Sequence, residues 1–139
     1  MHHSFMAEAK KATREALKTI GYDIVDYTDD KEQYPIVRFG YCYESKYPTK
    51  THKAKTVSLT IDVWSDKRGS AEVMEISHNI ESLLENYNNN SENDKYNIVG
   101  ADIGNIDVLE EELKVNGSNK SVRLFHGVLP IQILIMEVK

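Results

Sequence analysis

The sequence contains one cysteine, three prolines and no long apolar run, and each scarcity removes a class of protein. Cys42 stands alone, so no internal disulfide is available. Stability must come from packing, which fits a reducing compartment. Nothing approaches the roughly 18 consecutive apolar residues of a membrane span, so no membrane contact is expected. The start, Met1-His2-His3-Ser4-Phe5, lacks the apolar core of a signal peptide, and His2 and His3 are given no role. Positive charge is also short. Lys and Arg number 17 against 22 Asp and Glu, for a net charge of -5 and a pI near 5.5. A protein built to grip nucleic acid would carry a basic footprint instead.

Catalytic signatures are missing too. His2, His3, His52, His78 and His126 do not fall at zinc-ligand spacing, and Cys42 has no cysteine nearby, so no metal site is expected. There is no glycine-rich phosphate loop and no serine nucleophile elbow. Gly100-Ala101-Asp102-Ile103-Gly104 is not followed by a helix pattern. Cys42 lies in an alternating strand, where it reads as a small packed hydrophobe rather than a nucleophile. Asp62 and Asp66 flank Trp64, but one falls on a polar strand face and the other in a turn, as solvated carboxylates do. The expectation is a protein with no catalytic residue, no cofactor and no metal.

What is present describes one globular domain over residues 1–139, with 40% hydrophobic and 28% charged residues. Phe5, Ala9, Ala12, Ala16 and Ile20 recur at helical spacing, and Gly21 can end that helix in the left-handed conformation. Tyr22 to Tyr27 predicts a short strand closed by Thr28-Asp29-Asp30. Pro35 opens a second, in which Val37, Phe39, Tyr41 and Tyr43 alternate with Ile36, Arg38, Gly40 and Cys42. The polar stretch Ser45 to Thr51, with Pro48, reads as a loop or hairpin tip.

The clearest strand sets Val57, Leu59, Ile61 and Val63 opposite Thr56, Ser58, Thr60, Asp62 and Trp64. One apolar and one polar face predict an antiparallel sheet covered by helices mainly on one side. Asp66-Lys67-Arg68-Gly69 turns the chain. Ser70 is a natural N-cap, with Glu72 and Glu75 in the first turn behind it. Val73, Ile76, Ile80, Leu83, Leu84 and Tyr87 form an apolar stripe that ends at Asn88-Asn89-Asn90. Tyr96 to Leu113 predicts a strand bent at Gly100 and Gly104, and Val115 to Asn119 a turn. Val122 to Val138 is a long apolar strand in which Pro130 predicts a bulge or an edge position. The fold class is α+β: a mostly antiparallel sheet, an N-terminal helix and one long amphipathic helix packed on it.

Charge is unevenly placed. Lys10, Lys11, Arg14 and Lys18 make the first helix basic, and Lys46, Lys50, Lys53 and Lys55 surround the polar loop. Acidic residues gather at Asp23 to Glu32 and at Asp107 to Glu112. Such runs are ordinarily solvated surface, but patches of opposite sign also suit stacking on copies or partners. Trp64, opposite the apolar face or at the strand end, either folds under the following turn or meets a partner.

Leu59-Thr60-Ile61-Asp62-Val63-Trp64-Ser65, with Arg68-Gly69 and Ala71-Glu72 opening a helix, resembles the tail-completion (tail-terminator) proteins of long-tailed bacteriophages and prophages. Tyr34-Pro35-Ile36-Val37-Arg38-Phe39-Gly40 is similar to that family's earlier strand, and His126-Gly127-Val128-Leu129 with Ile131 and Ile133 to its closing strand. Residues Tyr87 to Lys120 carry none of the likeness. The resemblance implies a structural role without catalysis: a homo-oligomeric ring, typically a hexamer, that stops tail-tube growth and joins tail to head. The sequence leaves open whether the free subunit is a monomer or already a ring before it meets the tube. The implied partners are its own copies, the tail-tube protein and a head-completion or connector protein. DNA would pass through without sequence-specific binding, which an acidic protein permits. The implied location is the host bacterial cytoplasm during assembly, then the tail and neck of the virion. A ring needs heterologous contacts. The candidate assembly residues are Lys46, Lys50, Lys53 and Lys55 around the loop and Trp64, Asp66 and Arg68 at the turn. Two rivals remain: another neck component, such as a head-closure protein, and a small intracellular ligand-binding or enzymatic α+β domain.

Overall fold

The computed structural model describes residues 4–25, 33–48, 53–85, 96–114 and 121–137. Helix α1 spans Phe5–Lys18 and is capped by Ser4, whose Oγ accepts the Ala7 N–H at 3.0 Å. It ends as its sequence predicts. Gly21 takes φ +88°, its N–H bonds the Lys18 carbonyl, and the Tyr22 N–H reaches back to Leu17. Strand β1 (Ile24–Val25) follows, then β2 (Ile36–Tyr47), β3 (Ala54–Ser65), helix α2 (Ala71–Glu85), β4 (Tyr96–Ile103), β5 (Asp107–Lys114) and β6 (Ser121–Glu137). The strand order is β1-β2-β3-β6-β4, with β5 also paired to β6. The β1–β2 pair is parallel and every other pair antiparallel. The 17-residue β6 can serve both edge strands, pairing β5 with its first part and β4 with its second.

Both helices pack on one face of the sheet, α1 over β2, β3 and β6, and α2 over β3, β6 and β4. Between them Val57, Leu59, Ile61 and Val63 of β3 are at most 2% exposed, together with Leu129, Ile131, Ile133 and Ile135 of β6. Burying each such side chain contributes about 1.5–3 kcal/mol. Two glycines permit close approaches in this packing. A Cβ at Gly127 of β6 would lie 2.8 Å from Val73 Cγ1 and 2.9 Å from Ser77 Oγ of α2, so the helix can settle onto the strand only over a bare backbone. A Cβ at Gly40 would overlap Thr60 Oγ1 and the Asp62 carboxylate.

Gly40 also marks the first departure from the sequence reading. The β2–β3 register slips between Phe39 and Cys42, and the Tyr41 N–H goes to Thr60 Oγ1 at 3.2 Å. Past the bulge the faces exchange, so Cys42 pairs with Leu59 on the core side and Tyr43 with Ser58 on the open side. Strict alternation through Tyr43 is therefore wrong. The expected loop from Ser45 is also shorter, because Ser45, Lys46 and Tyr47 pair with Thr56, Lys55 and Ala54. Pro130 is neither at an edge nor bulged against β3, where it pairs in register with Thr60. Its carbonyl accepts the Gly104 N–H at 2.9 Å, so its ring nitrogen points to the same side, where β4 gives way to β5. A missing N–H costs little at that junction. Gly104 divides the stretch from Tyr96 into two strands, with a bulge between Ile98 and Gly100. Helix α2 has 15 residues to the 14 of α1, and it buries Val73, Ile76, Ser77, Ile80 and Leu84. Asp26 to Asp30, Tyr87, the asparagine run and the Val115 to Asn119 turn lie outside the described residues.

Candidate functional site

The three segments singled out in the sequence meet on the open face of the sheet. Ile36 of β2, Trp64 of β3 and His126 of β6 form one cross-strand row, and Arg38, Asp62 and Val128 form the next. The Trp64 and His126 rings stack 3.7 Å apart at 10°. His126 Nε2 lies 3.1 Å from Asp62 Oδ1, and Nδ1 lies 3.2 Å from Glu111 Oε1 of β5. Of the two contacts only that of Nδ1 with Glu111 has hydrogen-bond geometry, and Nε2 is buried without a hydrogen-bond partner. The His126 side chain is 12% exposed and that of Asp62 is 11%. Ile36 and Leu124 are buried away from the main core. The cluster ties β3, β5 and β6 together on the face that no helix covers.

At the end of β3 the chain leaves through a second polar joint. Ser65 is fully buried, donates its hydroxyl to Glu72 Oε1 at 2.7 Å and accepts the Lys67 N–H at 3.1 Å. Lys67 Nζ reaches Glu72 Oε2 at 2.8 Å. The Lys67 ammonium, and then the Ser65 hydroxyl, hold the Glu72 carboxyl below the ordinary glutamate range, while Glu72 raises Lys67. Gly69 closes the turn at φ +87°. Asp66 and Arg68 are left exposed beside a shallow cleft of about 410 Å³ that β5 and β6 border through Glu110 and Arg123, an ion pair at 3.1 Å.

The candidate assembly residues divide into two groups. Trp64, Asp66 and Arg68 sit at one end of β3, and Lys46, Lys53 and Lys55 at the other. They are about 30 Å apart along the strand and form no single patch. Lys46 and Lys53 are exposed and border a groove of about 660 Å³ with Phe5 and Glu137. Lys55 is committed internally, 2.6 Å from Glu44 Oε1 with its ammonium 5.3 Å from the Phe5 ring centroid. Lys50 lies outside the described residues. Of the two readings of Trp64, the ring rests on its own chain, half-buried against His126 rather than under the turn.

Sequence reasoning missed His126 and Glu111. Their signal is the register: His126 becomes informative only once β6 is placed beside β3 with Trp64 opposite it. Chemically the cluster is an imidazole hydrogen-bonded to Glu111 through Nδ1, with Nε2 buried near the Asp62 carboxylate and without a hydrogen-bond partner. Cys42 faces the other side of the sheet, and burial pushes its thiol up, away from the thiolate a nucleophile needs. Among the described residues no three His, Cys, Asp or Glu side chains are grouped to hold a metal ion.

The fold has a solved counterpart. It is similar to a chain of the "Virion of native gene transfer agent (GTA) particle" at a TM-score of 0.69 and 14% identity, covering 96% of this chain and 99% of that one. Comparison with curated proteins finds no match. The family model of "Tail completion protein gp17" matches residues 7–136, which takes in the helix-facing core, the Trp64–His126 row and the Ser65–Glu72 joint. The chain therefore belongs to the tail completion protein gp17 family, structural proteins of the bacteriophage tail.

Proposed function

We propose that this chain is a tail terminator: a ring of its copies, six in number, caps the tail tube, stops its growth and offers the surface to which the head is joined. The chain works without catalysis, and DNA passes through the ring with no sequence read. The observation that carries this reading is the family match over residues 7–136 on a fold whose candidate contact groups lie at the two opposite ends of β3. A protein that joins a tube to a head needs partners on two sides. The end with Lys46 and Lys53 and the end with Asp66 and Arg68 offer two surfaces of different character, separated by the length of the sheet. The subunit is monomeric before assembly and acts in the host cytoplasm, then in the neck of the particle.

The test is to polymerise the cognate tail-tube protein with and without the purified chain and examine the products by electron microscopy and native mass spectrometry. The expected result is tubes of arrested length with a six-fold ring at one end. A chain that stays monomeric in the presence of tube protein, or that binds only the portal-side neck protein, overturns the reading.

A further inference from the structure

The two helices differ in charge: α1, on the β1–β2 side, carries Lys10, Lys11, Arg14 and Lys18 against Glu8 and Glu15, whereas α2 carries glutamates alone. On the β2 side, Lys10, Arg14 and Lys18 of α1 are four residues apart and so share one flank of the helix. Lys10 Nζ and the Arg14 guanidinium lie 5.4 and 5.5 Å from the Phe39 ring of β2, which fixes that flank toward the β2 edge. Lys11 is exposed beside them, as is Lys18. On the other side, α2 carries Glu72, Glu75, Glu81 and Glu85 and no lysine or arginine. Asn79 of α2 donates to the Tyr22 hydroxyl just past α1, which orients the helix. Met74, Glu81 and Glu85, spaced seven and four residues apart, share the flank turned away from α1. On that side α2 packs beside β4, and the neighbouring outer strand β5 carries Asp107, Glu110, Glu111 and Glu112, of which Glu110 pairs with Arg123 and Glu111 with His126. Apolar surface accompanies charge on both sides, with Ile20 and Tyr47 on the first and Met74 and Val99 on the second.

We propose that the occupant of each flank is a second copy of this chain, the basic α1 flank of one subunit meeting the acidic α2–β5 flank of the next. The inference rests on the ring reading above and says which surfaces close the ring. Cyclic assembly requires two different, mutually complementary patches on every subunit, and these flanks are complementary in sign and lie on opposite sides of the fold. Contacts made across the strands also leave both ends of β3 free for partners above and below the ring.

The experiment compares three chains on purified tail tubes: wild type, a basic-flank reversal (K11E with K18E) and an acidic-flank reversal (E81K with E85K). Lys11, Lys18 and Glu85 are exposed and Glu81 is half-buried, and thermal melts check that each variant folds. Either reversal alone is expected to lower the ring fraction about tenfold or more, because like charges then face each other. An equimolar mixture of the two is expected to restore rings, since each reversed flank meets its new complement in alternating order. Wild-type rings should weaken as salt is raised toward 0.5 M, where screening shortens the range of these contacts. Reversals that assemble as wild type does, or a mixture no better than its components, overturn the proposed contact and leave the terminator reading standing. Wild type that forms no ring overturns the terminator reading, and the contact falls with it.

Discussion

Gly127 gives the most exacting test of the packing described above. Replacing it with alanine places a Cβ 2.8 Å from Val73 Cγ1 and 2.9 Å from Ser77 Oγ, where ordinary contacts begin near 3.4 Å. Helix α2 must lift or Val73 must leave its rotamer, and overpacking of this kind costs about 1–3 kcal/mol. Against it stands the reduced entropy of the unfolded chain, worth about 0.4–1 kcal/mol for glycine to alanine. The net loss of about 1–2 kcal/mol corresponds to a melting point lower by about 3–8 °C for a chain of this size. Ser77 makes the argument testable from the other side. Its Oγ is buried and has no hydrogen-bond partner, so Ser77→Ala removes a desolvated hydroxyl and is expected to stabilise by about 0.5–1.5 kcal/mol. It also removes one of the two clashing atoms. The cost of Gly127→Ala in the Ser77→Ala background should fall by about 0.5–1 kcal/mol, as neighbours in contact couple. Urea titrations followed by the fluorescence of Trp64, the only tryptophan, supply all four corners of the cycle. If Gly127→Ala is neutral, or costs the same with and without the Ser77 hydroxyl, the close approach of α2 to β6 is not what that glycine provides.

Two further predictions concern the polar joints. His126→Ala deletes the stack on Trp64 and the hydrogen bond to Glu111, so a loss of about 1–3 kcal/mol in urea titration is expected, with a change in Trp64 emission. The Glu72 carboxyl is held below its unfolded value by Lys67 and Ser65, so its contribution is present above the ordinary glutamate range and is lost as pH falls through the lower folded value. Glu72→Gln should therefore lower stability at neutral pH and flatten the decline between neutral and strongly acid solution. A decline as steep as wild type would show that the joint at the end of β3 is not what titrates.

Much of the architecture is legible in the sequence because periodicity reports burial. Val57 to Val63 alternate cleanly because one face meets the helices, and Phe5 to Ala16 recur at helical spacing because that face meets the sheet. The failures come where two strands interact in ways a single strand cannot encode. The faces of β2 exchange at the bulge after Phe39, where Thr60 and Asp62 of β3 occupy the space a Cβ at Gly40 would need and Thr60 Oγ1 takes the Tyr41 N–H, a fact about the neighbour. Pro130 is tolerated in a central strand because β4 hands over to β5 opposite it, a fact about connectivity. The candidate site follows the same rule. Trp64 is conspicuous by itself, whereas His126 gains meaning only from register, and the separation of the lysine group from the Trp64 group depends on the two ends of β3 being far apart.

This bears on what the family resemblance marks. Ser65, Glu72 and Gly69 build the exit from β3, Gly127 admits α2, and Trp64 and His126 brace the open face. These residues make contacts within the subunit, and they carry the family likeness. On the charged flanks, Lys10 and Arg14 lie over Phe39 of that motif, whereas Lys11, Lys18 and Glu85 are exposed and lie outside it. Residues that meet a partner need only match that partner, whereas residues that hold the fold must match the fold. A Trp64→Ala variant that fails to assemble therefore says little about contact, since the substitution first removes a brace between β3 and β6. Variants at Lys11, Lys18 and Glu85 carry no such ambiguity, because these side chains are exposed on the helix surfaces, and Glu81 is half-buried beside them.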